Sequence, residues 1–119
     1  MTSRRATTAR RRDLFEEAAA IIAFEYPDRL TLDEVARRLF TSPRQLQRAF
    51  AEGGHSSFRS YLGGVRMEHA AGLLRQGATV AQAAQAVGYS QPAQFAKAFR
   101  RHQGAAPSAL RNRRTAAAR

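Results

Sequence analysis

The sequence has no cysteine, few aromatic residues and no acidic residue after Glu68. Without cysteine there are no disulfides, no thiolate metal sites and no cysteine nucleophile. No apolar run approaches the roughly 20 residues that a membrane-spanning helix needs. The Arg-rich start has no apolar stretch behind it, so it does not resemble a secretory signal. These absences favour a cytoplasmic protein that does not contact a membrane.

The shortage of acid leaves a net charge of +11 and a pI of about 11.7. Such an imbalance predicts a polyanionic partner, and arginine suits bidentate contact with phosphates and guanine edges. A genomic preference for Arg and Ala codons explains part of the arginine usage but not the missing acids. The basic residues beyond Glu68 are Arg75, Lys97, Arg100, Arg101, Arg111, Arg113, Arg114 and Arg119.

Residues suited to catalysis or metal binding are scattered. His55, His69 and His102 have no carboxylate at metal-ligand spacing, and no set of serine, histidine and acid stands out. Gly53–His55 is predicted to be a loop, because no strand precedes it as a phosphate-binding loop requires. The sequence therefore predicts no enzyme, no metal and no cofactor.

Residues 79–111 have the pattern of two short helices around a tight turn. Thr79 and Gln82 have the spacing of a capping box. Gly88 can end the first helix because it adopts positive φ at little steric cost, and Ser90 is placed to cap the next helix. This pattern predicts a helix-turn-helix. The supporting apolar and proline positions are Ala83, Ala84, Val87, Pro92, Phe95 and Phe99.

The same unit occurs earlier, in residues 31–50. Thr31 with Glu34 and Ser42 with Gln45 repeat the capping-box spacing. A shift of 48 aligns the first helices and a shift of 49 the second helices, so one extra residue falls where the second helix begins. This is an internal repeat. The aligned pairs are Thr31 with Thr79, Ala36 with Ala84, Leu39 with Val87, Ser42 with Ser90, Leu46 with Phe95, Gln45 with Gln94, Arg48 with Lys97 and Phe50 with Phe99.

Through this repeated helix-turn-helix pattern, the chain resembles the AraC/XylS family of bacterial transcription regulators over residues 14–111. The departures are Phe40 at a position that is usually small or Gly, Leu110 in place of an aromatic, and Gly63-Gly64 within the linking helix. That glycine pair marks either a bend or a close approach to a neighbouring backbone. The matching positions are Ala36, Ser42, Leu46, Arg48, Phe50, Tyr61, Leu62, Arg66, Ala70, Leu73, Leu74, Ala84, Val87, Gly88, Tyr89, Ser90, Phe95, Phe99, Gly104, Pro107 and Arg111.

The resemblance implies an all-α fold of about seven helices, with two helix-turn-helix subdomains joined by a long linking helix. A linking helix of some 20 residues would be roughly 30 Å long, close to one turn of DNA at about 34 Å. No separate effector domain is expected, as in the small stand-alone members. The expected order is a disordered basic arm (1–12), the DNA-binding domain (13–111) and a basic tail (112–119). Within the domain we expect a bracing helix (13–26), the first helix-turn-helix (31–50), the linking helix (57–76) and the second helix-turn-helix (79–102).

The resemblance also implies that the second helix of each unit enters a major groove, with Arg44, Gln47 and Arg48 at base-reading positions. The chemistry agrees, because Arg pairs bidentately with guanine and Gln with adenine. A solvated helix face is the alternative. The predicted DNA contacts are Arg44, Gln45, Gln47, Arg48, Gln91, Gln94, Ala96, Lys97 and Arg100, with phosphate contacts from Ser42, Ser90, Arg66 and Arg101.

In the second unit Pro92, Ala93 and Ala96 are poor hydrogen-bond formers. That helix is suited to reading thymine methyl groups or DNA shape rather than polar base edges. We expect it to specify less than the first.

The sequence therefore predicts a monomeric, sequence-specific regulator of transcription that binds double-stranded DNA. The alternative is a sequence-indifferent packer of DNA or RNA, which shares the charge but does not need Gln and Arg grouped on two repeated helices. A third alternative is a module that mainly binds RNA polymerase, which is compatible with DNA binding. The operator, the target genes and the choice between activation and repression stay open.

Overall fold

The structure, a computed structural model, describes residues 3–117 and the side-chain surroundings of residues 8–112. Within residues 3–117 the chain is all α, as predicted, and no helix there has the length and apolar character needed to cross a membrane. The helices are α1 (Ser3–Glu25), α2 (Leu32–Arg38), α3 (Pro43–Ala49), a π-helical turn (Phe50–Gly54), α4 (Phe58–Arg75), α5 (Val80–Ala86), α6 (Pro92–Gln103) and α7 (Pro107–Ala117).

The chain divides into two compact units, and the division falls inside α4. Unit 1 is Met1–Leu62 and unit 2 is Gly63–Arg119. Each unit contains one of the two predicted helix-turn-helix pairs, α2 with α3 and α5 with α6. The segment predicted as a loop at Gly53–His55 begins inside the π-helical turn.

The structure differs from the prediction of a disordered arm over residues 1–12. Helix α1 begins at Ser3 instead of Asp13. Arginine and alanine, which fill much of this segment, are among the better helix formers. Arg11 Nε also lies 3.0 Å from Glu52 Oε2, so one of the clustered charges is paired. Residues 1 and 2 of the predicted arm lie outside the described residues.

The predicted basic tail is also helical as far as it is described. Helix α7 continues through residues 112–117, while residues 118 and 119 lie outside the described part of the chain. Arg111 Nε donates a hydrogen bond of 3.2 Å to the carbonyl of Ala78, which joins α7 to the loop before α5. Helices α5, α6 and α7 contact one another in unit 2.

Unit 1 is built around a cluster of aromatic rings in edge-to-face contact. The Phe15 ring lies 5.2 Å from that of Phe50 and 5.5 Å from that of Tyr61. Phe50 makes the same kind of contact with Phe58 at 5.4 Å. Each such pair contributes about 0.5–1.5 kcal/mol beyond the area it buries. Helix α1 thus braces the first helix-turn-helix, as predicted, by packing on α3 and the π-helical turn.

In unit 2 the close approach at the glycine pair comes from the His102 side chain of α6, and not from the neighbouring backbone that the sequence suggested. A Cβ on Gly63 would lie 2.9 Å from His102 Nε2, and one on Gly64 would lie 3.6 Å from His102 Nδ1. A real Cβ does not tolerate the first distance, so the missing side chain at Gly63 makes room for the imidazole. Helix α4 continues through the glycine pair from Phe58 to Arg75.

Candidate nucleic-acid interface

The turn of unit 1 is closed by two backbone hydrogen bonds. The N–H of Thr41 donates to the carbonyl of Ala36 at 2.9 Å, and the N–H of Phe40 donates to that of Arg37 at 3.2 Å. Phe40 has φ of 55°, in the left-handed region. This combination is the Schellman ending of a helix, which usually places glycine at the left-handed position.

The turn of unit 2 has the same geometry 48 residues later. The N–H of Tyr89 donates to the carbonyl of Ala84 at 2.9 Å, and the N–H of Gly88 donates to that of Gln85 at 3.2 Å. Gly88 has φ of 94° and occupies the position of Phe40. The predicted repeat is therefore confirmed at the level of individual backbone hydrogen bonds.

Side-chain caps fix where three of the four helices begin. Thr31 Oγ1 accepts a hydrogen bond from the N–H of Glu34 and Ser42 Oγ accepts one from the N–H of Gln45, both at 3.1 Å. At Thr79 both halves of the capping box are formed, with Gln82 Oε1 accepting from the N–H of Thr79 at 2.9 Å.

The predicted cap at Ser90 is wrong. Helix α6 begins at Pro92, so its N-cap is Gln91, which makes no side-chain cap hydrogen bond. Pro43 and Pro92 are both first residues of their helices and lie 49 positions apart. The extra residue therefore falls before the cap and moves Ser90 out of the position that Ser42 occupies in unit 1.

The outward face of α3 carries the residues predicted to contact bases. Leu46 and Ala49 are fully buried, which turns the opposite side of this short helix to solvent. The exposed side chains include all four predicted contacts, namely Arg44, Gln45, Gln47 and Arg48, together with the N-cap Ser42.

One basic residue near this face was missed from the sequence. Arg59 is exposed in the first turn of α4 and lines a cleft of about 280 Å³ together with Gln47 and Thr31. It therefore lies beside a predicted base contact of α3. Its position two residues after the cap residue Ser57 was the available signal. Ser57 Oγ accepts a hydrogen bond from the N–H of Ser60 at 3.0 Å.

The outward face of α6 is different in chemistry. Phe95 and Phe99 are buried, while Gln94, Lys97 and Arg100 are exposed and Ala96 is half-buried. A shallow cavity of about 550 Å³ lies along this face. Its lining consists of Ala93, Ala96, Lys97, Arg100 and Arg101. Gln91 and Ser90, also exposed, precede the helix.

Arg66, predicted to contact phosphate, is half-buried on α4 in unit 2. Its guanidinium carbon lies 5.7 Å from the centre of the Tyr89 ring. Such a cation–π contact contributes about 0.5–1 kcal/mol or more and fixes the direction of the guanidinium. Tyr89 in turn lies edge-on to Phe95 at 5.7 Å, so Arg66 is tied to the turn of the second helix-turn-helix.

The ends of α1 and α2 are joined by a bidentate ion pair. Arg38 Nη1 and Nη2 donate to the two carboxylate oxygens of Glu25 at 2.8 and 2.6 Å. These hydrogen bonds lower the pKa of Glu25 below its ordinary value and raise the pKa of Arg38. The pair is partly exposed, so its role is to fix the direction in which α2 leaves α1.

Charge is distributed unequally between the units. Unit 1 contains eleven basic and eight acidic residues, and unit 2 contains nine basic residues and one acid, Glu68. The acid-free sequence that contains α5, α6 and α7 is thus the more attractive to phosphate.

Residues 35–113 match a family model described as a helix-turn-helix domain. Over 79 residues the chain is 44% identical to the uncharacterized HTH-type transcriptional regulator Rv1395 of Mycobacterium tuberculosis. The aligned region covers 66% of this chain and 23% of that protein. Over 106 residues it is 33% identical to the uncharacterized HTH-type transcriptional regulator YijO of Escherichia coli, covering 88% of this chain and 38% of that protein. The chain thus spans well under half the length of these relatives.

Solved structures of similar fold carry the same kind of name. A transcriptional regulator with an AraC-type DNA-binding domain from Chromobacterium violaceum matches with a TM-score of 0.79 at 26% identity, covering 86% of this chain and 92% of that one. The C-terminal domain of AraT, a response regulator from Geobacillus stearothermophilus, matches with a TM-score of 0.78 at 32% identity, covering 83% and 84%. With one turn geometry repeated in two helix pairs and a family match over residues 35–113, this chain belongs to the AraC-type helix-turn-helix family of transcription regulators.

Proposed function

We propose that the protein is a transcription regulator that binds specific sequences in double-stranded DNA. The observation that carries the proposal is the outward face of α3, the helix that follows the turn at Phe40. Arg44, Gln47 and Arg48 are exposed on this face. Arginine and glutamine are the side chains that pair bidentately with guanine and adenine in the major groove. The names of the relatives and the positive charge of the chain support the same target.

We further propose that α3 and α6 enter successive major-groove segments of one duplex. The support is the repeated turn, which places a second helix after it in each unit. Helix α4, which both units share, has 18 residues. It is therefore about 27 Å long at about 1.5 Å per residue, and one turn of DNA is about 34 Å.

The interface proposed for these segments follows the residues predicted from the sequence. Base-edge or groove contacts come from Arg44, Gln45, Gln47, Arg48, Gln91, Gln94, Ala96, Lys97 and Arg100. Phosphate contacts come from Ser42, Ser90, Arg66 and Arg101. Arg59 is added because it lines the same cleft as Gln47.

Because one chain carries two helix-turn-helix units, a monomer is sufficient to bind two adjacent half-sites. We propose a monomer on a non-palindromic site of about two helical turns, on the order of 20 bp. The bacterial relatives and the proposed chromosomal target favour action in the cytoplasm. Contact with RNA polymerase would be an additional role on the same DNA.

The test is selection of bound duplexes from a random DNA library, followed by titration of the selected site and a scrambled duplex. Specific binding should exceed scrambled binding by about 10³ or more at physiological salt. Equal affinity for both duplexes would overturn the proposal and favour a sequence-indifferent packer. A symmetric site bound by two chains would overturn the monomer while leaving the regulator standing.

A further inference from the structure

Helices α3 and α6 differ in chemistry at two equivalent positions. Both begin with proline, at Pro43 and Pro92, so a shift of 49 aligns them residue by residue. In this register, two hydrogen-bonding side chains of α3 correspond to alanines of α6. The pairs are Arg44 with Ala93, Gln47 with Ala96 and Arg48 with Lys97.

The two alanines lie on one side of the outward face of α6. Ala93, Ala96, Lys97 and Arg100 have the spacing i, i+3, i+4 and i+7, which places them on one stripe of the helix. Counted at 3.6 residues per turn, Lys97 lies opposite the buried Phe95 and Phe99. Ala93 and Arg100 lie to one side of Lys97 and Gln94 to the other, and the half-buried Ala96 lies at the edge of the stripe. On this side of α6 a groove would therefore meet methyl groups and long cations.

We propose that α6 reads thymine methyl groups, with Ala93 and Ala96 packing against them in the second major-groove segment. Apolar contact from alanine is the recognition that the thymine methyl offers in the major groove. Ala93 and Ala96 lie in the first half of the helix, the part of a recognition helix that contacts base edges. This inference rests on the proposed function, because it assumes that α6 enters the groove.

The remaining residues of the cavity are cations. Lys97, Arg100 and Arg101 lie beside and beyond the two alanines. Lysine is a point charge without the fork of arginine, so Lys97 suits a phosphate contact better than a bidentate base contact. The site thus combines two methyl groups with three cations, which fits a thymine-rich segment between phosphates.

The first experiment replaces thymine by deoxyuridine, which removes only the methyl group. Substitution in the segment facing α6 should weaken binding about threefold to fivefold for each contacted thymine, since one buried methyl contributes about 0.8 kcal/mol and 1.4 kcal/mol is a factor of ten. The same substitution in the segment facing α3 is the control and should have little effect. The cysteine-free chain allows the segments to be assigned, because a DNA-cleaving reagent on Gln94→Cys marks the segment next to α6.

A protein variant supplies the second experiment. Ala96→Gln installs on α6 the residue that Gln47 provides on α3, and glutamine is a good helix former, so the fold should be kept. The variant should lose its sensitivity to deoxyuridine at the base pair that residue 96 contacts, and should gain a preference for adenine there. Gln47→Ala is the reciprocal substitution in α3 and should gain sensitivity to deoxyuridine in the segment facing α3.

Two results would overturn the inference, and they are distinguishable from failure of the proposed function. If the selected site is bound specifically but deoxyuridine has no effect in the segment facing α6, methyl recognition is wrong and the regulator stands. If deoxyuridine weakens both segments equally, the contact does not belong to α6. If selected and scrambled duplexes bind alike, the proposed function itself fails.

Discussion

Phe40 combines an unfavourable backbone with an almost unburied ring. Its φ is 55° and its side chain is 93% exposed. A left-handed conformation costs an L-residue about 1–2 kcal/mol. Because the ring is almost fully exposed, its burial offsets little of this free energy. The matching position in unit 2 is Gly88, where the same turn is formed without the penalty.

Substitutions at these two positions should therefore have opposite effects on the free energy of unfolding. Phe40→Gly should raise the free energy of unfolding by about 0.5–1 kcal/mol, because relief of strain outweighs the extra freedom of glycine in the unfolded chain. Gly88→Ala should lower it by about 1 kcal/mol or more, since it introduces a side chain at positive φ. Chemical denaturation measures both, and loss of stability in Phe40→Gly would show that the ring has a stabilising role.

Arg48 and Lys97 occupy equivalent positions of α3 and α6 and should differ in what they contribute. Arg48→Ala should weaken binding to the selected site by about 1–3 kcal/mol and relax the preference at one base pair, because a bidentate contact is lost. Lys97→Ala should weaken binding with less change in specificity. Titration of each variant on selected and scrambled duplexes decides between these roles. If Arg48→Ala lowers both affinities equally, Arg48 only contacts phosphate.

At the scale of the helix, α4 offers two glycines with different surroundings. Gly63 faces His102, whereas nothing lies within 4 Å of a Cβ built on Gly72. Gly72→Ala should raise the free energy of unfolding by about 0.5–1 kcal/mol through helix propensity alone. Gly63→Ala should gain less stability than Gly72→Ala, because its methyl must displace the end of the His102 imidazole. The comparison is made by thermal unfolding, with Gly72→Ala as the matched control, and equal stabilisation by both changes would contradict the close approach.

The elements that follow local rules were predictable from the sequence. Capping residues at Thr31, Ser42 and Thr79 marked helix starts because each satisfies a backbone N–H within three residues. The cap at Ser90 was mispredicted because spacing alone did not show on which side of it the extra residue lies. The start of α1 was mispredicted because the pairing of Arg11 with Glu52 is a tertiary contact.

The candidate interface likewise contains residues that the sequence predicts and residues that it does not. Helical periodicity was enough to turn Arg44, Gln47 and Arg48 outward, and the structure places them there. Periodicity could not show that Arg59 lies beside Gln47, since those residues belong to different helices. Nor could it show that Arg66 stacks on Tyr89, which depends on how α4 packs against the turn of unit 2.

For the whole molecule, net charge should dominate affinity. With about 6–10 phosphate contacts, an increase from 50 to 200 mM salt should reduce affinity by roughly 10³–10⁵, because bound cations are released from DNA when the protein binds. Fluorescence anisotropy titrations at several salt concentrations give the slope. A nearly flat dependence would contradict a phosphate-dominated interface.

The N-terminal arginines provide the control for this measurement. Arg10 and Arg12 are exposed on α1, whereas Arg11 is paired with Glu52. Replacing Arg10 and Arg12 with glutamine should weaken selected and scrambled duplexes alike and reduce the salt slope, because phosphate contacts carry no sequence information. An effect confined to the selected site would instead place these side chains at base edges.

The aromatic clusters also determine how the protein behaves in a fluorimeter. The chain has no tryptophan, so the emission of its three tyrosines is not masked. Tyr61 lies among the rings of unit 1, while Tyr89 lies between Phe95 and the Arg66 guanidinium in unit 2. With Tyr26 and Tyr61 replaced by phenylalanine, Tyr89 alone would emit. The melting of one unit could then be followed in an unlabelled chain while the other unit stays optically silent.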